Sequence, residues 1–92
     1  MPARQGRKDA NQTEIVEALE RVGCKVADLS SLGKGIPDLL VSYKNGPHRE
    51  LALFELKTAT GKMNMRQRQF EADGWQVYVV RSVDEALKVV GL

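Results

Sequence analysis

Gly35-Ile36-Pro37-Asp38-Leu39-Leu40-Val41, followed by Glu50-Leu51-Ala52-Leu53-Phe54-Glu55-Leu56-Lys57, is the stretch that decides the fold. Both segments read as apolar strands that place charge where a strand is expected to be buried. Alternate residues of a strand share one face, so Glu55 and Lys57 point the same way. Asn45-Gly46-Pro47 between them marks a turn. This predicts antiparallel pairing of a strand over Asp38 to Tyr43 with one over Glu50 to Lys57. Such a hairpin brings Asp38, at the start of the first strand, close to Glu55 at the end of the second. Burying ionised groups costs several kcal/mol unless they are paired or bind a metal. A chain this small is not expected to keep that arrangement without a use for it.

Working outward, Ile15, Ala18, Leu19 and Val22 follow helical spacing from Asn11 onward, and Gly23 is a natural stop. Asp9 and Asn11 are candidate caps for that helix, and residues 1–9 read as a flexible basic tail. Cys24 to Leu29 is expected to be a short strand, followed by the loop Ser30 to Gly35. Beyond the hairpin, Thr58 to Asn64 is a polar, Gly-containing loop. Residues 65–73 then read as a helix that turns Phe70, Met63 and Met65 inward and ends at Gly74. Trp75 to Val80 reads as a strand. Ser82 is placed to cap a last helix, with Glu85 at the capping-box position and Ala86, Leu87, Val89 and Val90 on its apolar face. The expected architecture is α/β, a single mixed sheet flanked by helices, in the order α-β-β-β-α-β-α.

The chain has 92 residues, 42% of them hydrophobic and 28% charged, which fits one globular domain with a single core. No apolar run approaches the ~20 residues needed to cross a bilayer. The polar start is not expected to act as a secretory leader, and one cysteine, Cys24, fits the expectation of a reducing cytoplasm, bacterial or that of a phage-infected host. Cys24 and His48 alone cannot make a structural zinc site. The net charge of +2 says less than its distribution. Arg4, Arg7 and Lys8 crowd the first residues, and Lys62, Arg66 and Arg68 crowd a later stretch, whereas Glu14, Glu17 and Glu20 make the first helix acidic. Clusters of this kind are most often solvated faces, so they only support other evidence.

Two carboxylates converging at a sheet end make a hard-oxygen site suited to Mg²⁺ or Mn²⁺. The backbone carbonyl of Leu56 is a further candidate ligand. Such a cation polarises a phosphate oxygen and lowers the pKa of a bound water. Lys57 is placed to orient or deprotonate that water, or to neutralise charge in the transition state. The plainer alternative is that Asp38 caps a turn while Glu55 and Lys57 form a same-face ion pair. That alternative loses ground because the triplet ends an otherwise apolar strand and follows Pro37-Asp38 at hairpin spacing.

Gly35-Ile36-Pro37-Asp38, Glu55-Leu56-Lys57 and a downstream helical Gln resemble the PD-(D/E)XK nuclease superfamily, and within it the virus-type replication-repair nuclease (VRR-NUC) domain. The resemblance covers roughly residues 10 to 92 and is specific in combination. It implies that Asp38 and Glu55 are metal ligands, that Lys57 is the catalytic lysine, and that Glu14 is the first-helix acid completing the metal site. Gln67 best matches the family glutamine, since that residue stands three before an aromatic, here Phe70; Gln69 is the rival assignment.

In that context Lys34, Lys62, Arg66 and Arg68 are expected to track a DNA backbone through phosphate contacts, without reading sequence. Trp75 and Phe70 are expected in the core, and His48 on an exposed turn. The resulting expectation is a Mg²⁺- or Mn²⁺-dependent endonuclease acting on DNA by shape, with no membrane partner. A homodimer is expected to cut branched DNA such as four-way (Holliday) junctions. A 5′-flap or nicking nuclease, and a non-catalytic DNA-binding or assembly module, are the alternatives.

Overall fold

The computed structural model describes the backbone of residues 3–92 and side chains from residue 11 onward. Helix α1 spans Ala3–Arg21, β1 Lys25–Asp28, β2 Leu39–Asn45, β3 His48–Leu56, α2 Met65–Ala72, β4 Val77–Val80 and α3 Val83–Val89. The fold is α/β, with one mixed four-stranded sheet in the order β1-β2-β3-β4. β1, β2 and β3 pair antiparallel, and β4 adds parallel to β3. No helix among the described residues is long and apolar enough to cross a membrane.

The register of the central hairpin follows from its turn. Asn45 pairs with His48, leaving Gly46 and Pro47 as a two-residue connection. Gly46, at φ 62°, supplies the positive φ that such tight connections demand. The same register pairs Leu39 with Phe54, so the next step along the ladder sets Asp38 opposite Glu55.

Period-two alternation divides the sheet into two unlike faces. Leu39, Val41, Ala52, Phe54 and Val80 form one, packed with Ile15 and Leu19 of α1, Ala86 of α3 and Val90 just after it into a single buried cluster. Leu53, Glu55, Val77 and Val79 lie on the other, the side where α2 meets Glu55. α1 stops as its spacing predicts. Gly23, at φ 96°, donates to the carbonyl of Glu20, and Cys24 N–H reaches back to that of Leu19. Cys24 is free and buried, and burial pushes its thiol pKa up, which makes it a poor nucleophile.

Several expectations need correction. α1 begins at Ala3 rather than near Asn11. The tail expected over residues 1–9 lies outside the described residues at Met1 and Pro2, and the side chains of Arg4, Arg7 and Lys8 are outside them too. α2 buries none of its residues: Met65 is 86% exposed, and Phe70 is half-buried. Trp75 precedes β4 rather than joining it, is 56% exposed, and stacks on Phe70 with ring centroids 5.3 Å apart, so neither ring enters the core. The apolar spacing of this helix was too sparse to build an inward stripe. Ser82 does cap α3 through Glu85 N–H, but the Glu85 carboxylate takes the N–H of Arg81 at 2.7 Å.

Phe54 is fully buried at the centre of the cluster. Phe54→Ala is expected to cost about 3–5 kcal/mol of unfolding free energy, whereas Met65→Ala should stay within about 0.5 kcal/mol of wild type. Urea denaturation followed by circular dichroism measures both.

Candidate active site

Asp38 and Glu55 are the two charged side chains buried among the described residues, at 7% and 4% exposure. They sit at the mouth end of the β2–β3 ladder and line a groove of about 750 Å³. Each is held by its own partners. The Oδ2 of Asp38 accepts the N–H of Leu56 at 2.8 Å, while the backbone carbonyl of Asp38 accepts the N–H of Leu29 at 2.7 Å. Glu55 Oε2 accepts the amide Nε2 of Gln67 at 2.8 Å and lies 3.6 Å from the Lys57 ammonium. The same-face reading of Glu55 and Lys57 is therefore met by direct contact.

Gln67 reaches Glu55 because of how α2 starts. Asn64 is the N-cap: its side chain accepts Gln67 N–H at 2.9 Å, and Gln67 Oε1 accepts Asn64 N–H at 3.0 Å. With its oxygen so engaged, the Gln67 amide presents its NH₂ to Glu55. Gln69 instead donates to Asp73, which separates the two glutamines by role. The Asn64-x-x-Gln67 spacing is a capping-box pattern legible in the sequence, yet Asn64 was missed.

The opposite wall is the loop before β2. Gly33, Lys34 and Gly35 take φ values of 63°, 59° and 82°. Gly35 also passes so near α2 that a Cβ there would lie 2.4 Å from the carbonyl oxygen of Arg66. Lys34 and Arg66 line the groove with Lys57, as do Asn11, expected only as a helix cap, and Gln12 and Ser30, which were not among the expected site residues. Lys62 and Arg68 are exposed and do not line it, and Glu14 is exposed on α1, also outside it. The structure thus brings together Asp38, Glu55, Leu56, Lys57, Gln67, Lys34 and Arg66. It does not bring Glu14, Lys62 or Arg68 to them.

Burial pushes the Glu55 carboxyl up to about 7, with the neighbouring Asp38 charge adding to the effect and Lys57 opposing it. Two close carboxylates with one ammonium are short of positive charge, and a divalent cation would correct that. Mg²⁺ commonly takes one or two carboxylates and keeps several waters. Asp38, Glu55 and the Leu56 carbonyl match that donor set. Among the described residues no three or more His, Cys, Asp or Glu side chains gather so as to hold a metal ion, so the chain offers two carboxylates here and no third.

Compared with protein-family models, with curated proteins and with solved structures, the chain matches none. The site's chemistry therefore rests on its own geometry.

Glu55 should leave a pH signature on stability. Its carboxyl holds a proton in the folded chain between the ordinary value of 4.5 and about 7, where the unfolded chain has lost it. Stability is therefore fullest below that window and falls as pH rises through it. In chelator, wild type should lose on the order of 2 kcal/mol more than Glu55→Gln between about pH 5 and about pH 8. Equal losses in denaturant titrations of the two proteins would contradict the shift.

Gly35→Ala should cost about 1–3 kcal/mol, from a disfavoured φ and from displacing Arg66. Gly46→Ala, with a similar φ but nothing within 4 Å of the new Cβ, should cost less. Thermal melts of the pair compare them.

Proposed function

We propose that this chain is a metal-dependent endodeoxyribonuclease with a PD-(D/E)XK-type core of the VRR-NUC kind. The observation that carries the reading is the burial of Asp38, one residue before β2, beside Glu55 at the end of the β2–β3 ladder, with Lys57 3.6 Å from Glu55 in the same groove. An ion pair built only for stability would not need a second carboxylate, nor a groove of about 750 Å³ open beside it.

Asp38, Glu55 and the Leu56 carbonyl would hold Mg²⁺ or Mn²⁺, and that ion, when bound, supplies charge neutralisation at a phosphate and a more acidic water. Asp38 is kept in place by Leu56 N–H, and Glu55 by Gln67, so neither carboxylate has to reorganise as charge develops. Lys57 projects its ammonium beside Glu55, where it orients the attacking water and offsets negative charge on the phosphoryl oxygens. Lys34 and Arg66 border the same groove and supply backbone contacts that hold the strand regardless of sequence. Gln67 supports Glu55.

DNA is the proposed substrate, with branched forms such as four-way junctions preferred, since a groove of about 750 Å³ offers little surface for reading base edges and suits recognition by shape. Paired cuts in a symmetric junction need two such sites, so the reading includes association of two copies.

The test is cleavage of a labelled immobile four-way junction beside matched linear, flap and nicked duplexes, with Mg²⁺, Mn²⁺ or chelator. Metal-dependent paired cuts are expected, and Lys57→Ala should slow them by about 10²–10⁴-fold. Cutting of flaps alone would move the substrate assignment. Junction binding with no cutting by either metal would replace the nuclease with a binding module.

A further inference from the structure

Arg81 is half-buried at the end of β4 and takes no part in the groove lining. Its guanidinium Nη1 donates to two backbone carbonyls of one turn, Thr58 at 2.7 Å and Gly61 at 2.6 Å. That turn is closed by Gly61 N–H, which reaches both the carbonyl and the hydroxyl of Thr58. It begins at the residue after Lys57 and leads to Asn64, the cap that orients Gln67. A Cβ on Gly61 would lie 3.1 Å from Thr58 Oγ1 and 3.6 Å from Lys57 Cβ. The turn therefore passes the stem of Lys57 with room for about a methyl group between them, and the Lys57 side chain is only 17% exposed.

Backbone pairing ties the same elements together: Lys57 N–H donates to the carbonyl of Val80, the residue before Arg81. Arg81 N–H in turn is held by Glu85 of α3. Both bonds come from a single guanidinium nitrogen, and a charged donor gives stronger bonds than a neutral one. Two carbonyls gathered on one cation lose charge-assisted bonds if they splay apart.

From this geometry we propose that Arg81 is a positioning residue that clamps the Thr58–Gly61 turn against Lys57 and so holds the Lys57 ammonium beside Glu55. The guanidinium acts through the turn and does not touch substrate. The placement of Lys57 stands on the contacts alone; its consequence for turnover rests on the nuclease reading.

Two readouts on the same proteins test this. The first is acylation of Lys57 by a small amine-reactive ester at fixed pH, quantified by mass spectrometry against exposed, distant Lys44. The second is the split between kcat and KM for junction cleavage. Arg81→Gln should raise Lys57 labelling severalfold and lower kcat about tenfold to a hundredfold with KM little changed, since small misplacements at a reacting centre cost that much. Arg81→Lys, which keeps a charged donor, should restore part of both. Thermal melts identify any variant that has lost its fold, and the conservative Lys variant then carries the comparison. Unchanged Lys57 labelling in a folded variant overturns the proposal, as does a loss confined to KM, which would make Arg81 a DNA contact. If wild type cuts no DNA while labelling still rises, the clamp stands and the nuclease reading fails.

Discussion

Two carboxylates buried side by side are the constraint around which this small fold is arranged. Ionised groups out of water cost several kcal/mol each unless their lone pairs are used, and a domain of this length has a net stability of the same size. The structure meets that cost with partners for each acid: Leu56 N–H for Asp38, and the Gln67 amide with the Lys57 ammonium for Glu55. These donors come from β3 and α2, so both elements must be in place before the pair is tolerable. The turn at Gly46-Pro47 belongs to the same constraint. A slip of one residue in the β2–β3 register would send Leu39 and Val41 to the wrong face and separate Asp38 from Glu55.

α2 shows the constraint acting from the other side. An eight-residue helix is too short to persist alone, and this one buries none of its residues. What anchors it is polar: the reciprocal Asn64–Gln67 cap, the Gln67–Glu55 bond and the close passage of Gly35 past Arg66. Site and helix therefore support each other. Removing the Glu55 carboxylate takes away a tether of α2, while loosening α2 takes away a donor to Glu55. Local stability at such a site is expected to sit well below that of the Phe54 core.

The sheet was legible because its signals are strong and local. Alternating apolar residues, a Gly-Pro turn and the Glu55-x-Lys57 spacing specify the hairpin and the shared face without help from the rest of the chain. The last helix was legible through Ser82. What escaped were features set by tertiary distance. The start of α1 at Ala3 falls in a polar segment whose apolar spacing carries no signal. Phe70 and Trp75 look like core by type, but they stack on each other outside the buried cluster. Glu14 was assigned by motif order, yet its place on the helix leaves it exposed outside the groove. Arg81, whose contacts span more than twenty residues of sequence, has no local pattern that could announce it.

The central claim is that the Asp38–Glu55 pair is a divalent cation site. Mn²⁺ binding to wild type and to Asp38→Asn, counted by electron paramagnetic resonance at neutral pH without DNA, tests it most directly. Saturable binding to wild type that Asp38→Asn abolishes, with a rise in melting temperature on binding, is the predicted result. No saturable binding, or binding that the substitution leaves intact, would contradict the account.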